Sequence, residues 1–140
     1  MSRSGYDDYE GDCTIPSEFY RMAVQRAAQG KRGQKLLSDL LTALDAMPVK
    51  RLIANEFSTG GEVCALGAVA PLRGVDVADL DPEDDYYTPR LLSKRFDIAE
   101  SLAREVMYAN DEGGPFDKET PEQRWQRMRD WVASQIKATA

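Results

Sequence analysis

Ten residues, Gly60-Gly61-Glu62-Val63-Cys64-Ala65-Leu66-Gly67-Ala68-Val69, constrain most strongly how this chain can fold. The run is the most apolar and least charged stretch in an otherwise polar sequence. Paired glycines open it and mark a tight turn, and small residues at close spacing then let other backbones approach. Such a segment is best placed at the buried centre, with flanking helices packed against it.

The flanks are helical in pattern. Phe19, Tyr20, Ala23, Val24 and Ala27 recur at steps of three and four, which predicts a first helix from Pro16-Ser17 to Gly30 with that stripe inward. Gly30-Lys31-Arg32-Gly33 breaks it. A glycine-bounded basic turn can hold a phosphate at a helix start. This one lacks the spacing and terminal Lys-Ser/Thr of a phosphate loop and reads as a plain interhelical turn. Leu36, Leu37, Leu40, Leu41 and Leu44 predict a second helix from Gln34 to Met47, ended by Pro48.

Residues 51–57 and the Ser58-Thr59-Gly60-Gly61 turn predict a strand and hairpin, with Glu62-Val63-Cys64 returning and a short helix from Ala65 to Leu72. Asp81-Pro82-Glu83-Asp84 has the residue order of a helix start, with the helix reaching Phe96. Asp97-Ile98-Ala99-Glu100 has capping-box spacing before a helix with Ile98, Leu102, Val106 and Ala109 on one face. Thr120-Pro121-Glu122-Gln123 is the clearest start signal in the chain. The helix that follows should run to Lys137 with Trp125, Met128, Val132 and Ile136 inward. The expected architecture is a mainly α, compact single domain of five or six helices with one small β-hairpin, spanning residues 15–140. Residues 1–14, with Asp7, Asp8, Glu10 and Asp12, read as a flexible acidic tail. The alternative is a tail that orders on a partner through Tyr6 and Tyr9.

Composition narrows the function classes. The chain has 140 residues, 42% apolar and 30% charged, which suits one soluble globular core. No apolar run approaches a membrane span of about 18 residues, and the first residues carry no apolar signal-peptide core, so the cytoplasm is expected. The sequence contains no histidine, which removes Ser-His-Asp and Cys-His catalysis and most zinc sites. Cys13 and Cys64 form neither a metal-ligand spacing nor a disulfide framework. The net charge of −6 disfavours nucleic-acid binding, which needs Lys and Arg on phosphates.

Gly61-Glu62-Val63-Cys64-Ala65-Leu66-Gly67-Ala68, with Tyr108-Ala109-Asn110-Asp111-Glu112-Gly113 downstream, resembles a group of small phage- and prophage-encoded proteins. Gly30-Lys31-Arg32-Gly33-Gln34 and Glu119-Thr120-Pro121-Glu122-Gln123-Arg124-Trp125 extend the likeness over most of the chain after residue 20. The resemblance implies a phage origin and a host-cytoplasmic setting. It brings no known activity.

Three clusters carry candidate chemistry. Asp76, Asp79, Asp81, Glu83, Asp84 and Asp85 put six acids into ten residues with no Lys or Arg among them. Helix capping explains Asp81 to Asp84 and leaves Asp76, Asp79 and Asp85, which read either as a solvated helix entry or as a surface for a partner with a basic face. Cys64, Asn110 and Asp111 are the candidate ligand or catalytic set, with Cys64 before a helix start. Their bland reading is a buried small thiol and a helix-end turn. Asn110-Asp111-Glu112 with Asp117 and Glu119 lacks the alternating ligands of an EF-hand loop, and neither metal nor cofactor is implied. Two function classes therefore stand. One is a small phage-type accessory protein that binds a host protein, for example a defence component such as a CRISPR effector complex. The other is a small enzyme or ligand-binding domain built on Cys64, Asn110 and Asp111. They differ in whether those three side chains converge on an open pocket.

Overall fold

The computed structural model describes residues 3–4, 17–114 and 118–137. The fold is mainly α: six α-helices, a 3-10 turn and a two-stranded antiparallel sheet among those residues. In chain order they are α1 (Ser17–Gln29), α2 (Lys31–Ala46), β1 (Ser58–Thr59), β2 (Glu62–Val63), α3 (Ala65–Val69), the 3-10 turn Pro71–Arg73, α4 (Tyr87–Phe96), α5 (Glu100–Glu112) and α6 (Pro121–Gln135).

Helix α2 is the central post, packing against α1, α3 and α6. Its leucines recur at helical spacing, and Leu36, Leu37, Leu40 and Leu44 are wholly buried. Burying each contributes about 1.5–3 kcal/mol. A single residue, Gly30, separates α2 from α1. The basic turn predicted over Gly30–Gly33 is thus mostly helix. Gly33 lies inside α2, where a β-carbon would stand 1.9 Å from the Ala27 carbonyl oxygen, so the two helices meet backbone to backbone. Helix α1 is more exposed than its pattern predicts. Tyr20, Val24 and Ala27 are half-buried, while Phe19 is 61% exposed.

The sheet is shorter than expected. Residues 51–57 form no strand; Ser58 pairs with Val63 and Thr59 with Glu62 around Gly60-Gly61. Both glycines have positive φ, 57° and 84°, the requirement of a tight two-residue hairpin. The backbone of 51–57 is satisfied piecemeal instead. Leu52 N–H donates to the Pro121 carbonyl at 3.0 Å and Ile53 N–H to the Val63 carbonyl at 2.9 Å. Cys64 through Gly67 and Val69 are buried, as expected of the organising run.

Two helix starts fall elsewhere than the sequence suggests. Asp81-Pro82-Glu83-Asp84 is a turn; α4 begins at Tyr87, and Asp84 Oδ1 accepts the N–H groups of Tyr86 at 3.0 Å and Tyr87 at 2.8 Å. Asp97, expected to cap α5, instead closes α4 in the left-handed conformation at φ 55°. A short polar side chain tolerates that backbone better than most. At α6 the capping box forms as read. Thr120 Oγ1 accepts from Gln123 N–H at 3.1 Å, and Gln123 Oε1 accepts from Thr120 N–H at 2.9 Å. Trp125, Met128 and Val132 face the core.

Of residues 1–14, Arg3 and Ser4 are described. Both are buried in the domain rather than free of it. Tyr6, Tyr9 and the acids of that segment lie outside the described residues.

Candidate functional site

Cys64, Asn110 and Asp111 do converge, and the convergence is filled. Hairpin and α3 supply Cys64, whose Sγ accepts the Gly67 N–H at 3.5 Å as the N-cap of α3. The last turn of α5 supplies the other two. Asn110 is fully buried: its Oδ1 accepts from Ala65 N–H at 3.1 Å, and its Nδ2 donates to the Ile53 carbonyl at 2.9 Å and to Asp111 Oδ1 at 2.9 Å. That side chain ties three segments together, with both amide protons engaged and its surface fully buried.

The Asp111 carboxylate, 2% exposed, meets Arg3, also 2% exposed, in a bidentate pair: Nε to Oδ2 at 2.6 Å and Nη2 to Oδ1 at 2.9 Å. The third guanidinium nitrogen, Nη1, reaches Cys64 Sγ at 3.5 Å, and the guanidinium lies over the Phe57 ring, 4.8 Å from its centroid. Asn55 N–H adds a hydrogen bond to Asp111 Oδ1 at 3.0 Å. Burial opposes the charge on Arg3, but Cys64 and Asp111 beside it more than offset that and raise its pKa. Ser4 follows the same path, its carbonyl accepting from Arg104 Nη1 at 2.7 Å. The three side chains therefore present no open cleft to a substrate.

The neighbouring C-terminal end of α5 is closed by α6. Arg124 Nε and Arg127 Nη2 each donate to the Asn110 carbonyl at 3.1 Å, and Arg127 Nη1 donates to the Ala109 carbonyl. Cations at the negative end of a helix dipole are favourable. Glu119, 9% exposed, holds Arg127 at 2.6 Å and Arg124 at 3.3 Å. Hydrogen bonding from Arg127 keeps its pKa below the usual carboxylate value. Asp111 and Glu119, two members of the cation-site reading, are thus engaged by arginines, and Asp117 lies outside the described residues. Among the described residues, no group of three His, Cys, Asp or Glu is arranged to hold a metal ion.

The acidic run has more local work than its sequence disclosed. Asp76 Oδ1 accepts from Ala78 N–H at 2.9 Å and Asp81 Oδ1 from Glu83 N–H at 2.9 Å, both two residues on, as short acidic side chains do in turns. Arg95 grips Asp79 with both Nη atoms, at 2.7 and 2.9 Å, and also donates to the Asp76 carbonyl at 2.8 Å. That hydrogen bond to Arg95 lowers the Asp79 pKa. Asp76 and Asp79, for which the sequence offered no local reason, therefore have one. An open depression of about 380 Å3 lies beside them, lined by Gly74, Val75, Asp76, Asp79 and Arg95. Thr88 fastens the turn to α4 through Oγ1, which donates to the Asp81 carbonyl at 2.8 Å.

Where the turn meets α4, Tyr86, Tyr87 and Leu91 are 51%, 63% and 39% exposed. The two rings stand edge to face with centroids 4.9 Å apart, and Arg90 covers one side of Tyr86 at 4.2 Å. Sequence reasoning passed over these residues; the adjacent tyrosines after an acidic run were the available signal. It also missed Arg3, the only cation before Arg21. Nothing local to positions 1–14 indicates a seat beside Asp111.

Comparison with protein-family models, with curated proteins and with solved structures finds no match to this chain. No described helix is long and apolar enough to cross a membrane.

Proposed function

We propose that the protein is a small phage-type accessory factor that works by docking onto a host protein with a basic surface, through the face formed by residues 76–91. The supporting observation is the exposed Tyr86–Tyr87–Leu91 patch directly after Asp76, Asp79, Asp81, Glu83, Asp84 and Asp85. Aromatic side chains supply much of the energy at protein interfaces, and an acidic rim steers a basic partner and raises the association rate. Carboxylates that accept backbone hydrogen bonds keep their full charge. Arg95 neutralises part of the field at Asp79, which leaves Asp81 and Glu83 as the exposed centre of the rim. Effector complexes that hold a nucleic-acid duplex in a positively charged channel offer a surface of the required sign, so a CRISPR-type defence component fits the partner class. An enzymatic reading on Cys64, Asn110 and Asp111 is less well supported, because Arg3 occupies the space a substrate would need.

A photo-crosslinking residue at position 87, compared with one at the exposed Val49, tests this in host cells. The expected result is one protein captured at 87 and not at 49. Its association with the purified protein should then slow in Tyr86→Ala/Tyr87→Ala and in Asp81→Asn/Glu83→Gln. The acid variant should also show a shallower salt dependence, since surface charges are screened beyond about 8 Å at physiological strength. Unchanged rate and salt dependence in both variants would show that this face is merely solvated.

A further inference from the structure

We propose that the pocket bounded by Phe57, Cys64, Asn110 and Asp111 is an arginine-binding site for a peptide segment, taken in this structure by the chain's own Arg3-Ser4. The proposal rests on how completely the site meets the chemistry of one side chain. Asp111 presents its two oxygens to Nε and Nη2 at 2.6 and 2.9 Å, a bidentate pairing that the fork of a guanidinium satisfies. Phe57 provides a face for the planar cation, 4.8 Å from its centroid. Cys64 Sγ receives the remaining nitrogen at 3.5 Å. Asn110 Nδ2 and Asn55 N–H also donate to the carboxylate, at 2.9 and 3.0 Å, so Arg3 is not its sole source of orientation.

The segment's backbone is read as well. Arg104 Nη1 donates to the Ser4 carbonyl at 2.7 Å, and Glu100 holds the Arg104 Nε at 3.2 Å. The site therefore recognises a guanidinium and the carbonyl of the next residue, as a short Arg-containing segment presents them. A lysine in the same place would bring a point charge without the fork and without the flat face. Vacating the seat would uncover an unpaired carboxylate next to a thiol, a surface that favours prompt occupation by another arginine segment.

The test uses the full-length chain in a Cys13→Ser background, so that Cys64 is its one thiol. With Arg3 present, Cys64 should resist a thiol reagent. Arg3→Ala should expose it. A blocked Ser-Arg-Ser peptide should then slow the labelling saturably, by about tenfold at ten times its Kd. A Ser-Lys-Ser peptide should not, and adding Asp111→Asn should abolish the protection. Guanidinium ion alone should protect more weakly than the arginine peptide, because it lacks the carbonyl that Arg104 reads. Protection that is absent, equal for the lysine peptide, or retained in Asp111→Asn overturns the proposal. Should Arg3→Ala fail to fold, the peptides are supplied during refolding. Recovery with the arginine peptide and not the lysine peptide supports the site; recovery with both or neither refutes it.

Discussion

A β-carbon placed on Gly67 would stand 2.0 Å from the carbonyl oxygen of Phe57. Helix α3 and the strand-side loop thus touch through backbone alone, at the point where the hairpin turns into the core. Gly67→Ala must push that carbonyl away or displace α3, and the carbonyl is itself the acceptor for Cys64 N–H at 3.1 Å. We expect a loss of about 3–5 kcal/mol, at the top of the range for single substitutions. Urea unfolding of the variant checks it; a loss under about 1 kcal/mol would mean the contact is easily relaxed.

Cys64 caps α3 through a sulfur, where Ser is the usual choice. Cys64→Ser should keep the acceptor for Gly67 N–H and lie within about 1 kcal/mol of the parent, whereas Cys64→Ala should lose about 1–2 kcal/mol. Chemical denaturation of the two variants side by side gives the answer. Equal losses would assign the cost to packing rather than to the cap.

Trp125 is 9% exposed, and its indole N–H donates to the Leu44 carbonyl at 3.1 Å, at the C-terminal end of α2. Trp125→Ala should cost about 3–5 kcal/mol. Thr120→Ala, which breaks the capping box, should cost about 0.5–2 kcal/mol. In a Trp131→Phe background the emission of Trp125 should be blue-shifted in the native state. A maximum typical of indole in water would contradict this packing.

Glu119 gives an acid limb to stability. Its folded pKa is depressed by Arg127 and Arg124 below an unfolded value of about 4.3. The stabilisation is therefore present above pH 4.3 and is lost as pH falls through the folded pKa. Glu119→Gln should be less stable than the parent at pH 7 by about 1–3 kcal/mol. The gap should narrow on acidification. Thermal unfolding of both proteins from pH 7 down to pH 3 measures it, and a gap independent of pH would show that the charge on Glu119 is immaterial.

Much of the fold was legible because it depends on short-range patterns. The leucines of α2, the stripe of Leu102, Val106 and Ala109 on α5, and the Thr120–Gln123 box are each written within a few residues. What misled was residue chemistry with two uses. Asp-Pro-Glu-Asp suits a helix start and a turn equally, and what selects the turn is Thr88 holding the Asp81 carbonyl from inside α4. Asp97 suits an N-cap and a left-handed C-cap, and its backbone follows from closing α4. The sequence raised the convergence of Cys64, Asn110 and Asp111 only as a question, and gave no sign of its occupant. Arg3 lies 108 positions from the carboxylate it pairs with, and no local pattern carries such a contact.

That separation bears on the order of events as the chain is made. Arg3 leaves the ribosome long before Asp111 is synthesised, so through most of translation the basic residue has no seat, and from its own synthesis until that of Asp111 the thiol of Cys64 lacks this cover. The hairpin, α2 and α3 can assemble during that interval from contacts close in sequence, whereas the start of the chain docks only once α5 exists. Closing so long a loop adds little entropy beyond a loop of half the length, about 0.6 kcal/mol per doubling. Delay, rather than energy, is what the arrangement imposes: the arginine waits for a seat that is complete only when the end of α5 has been made.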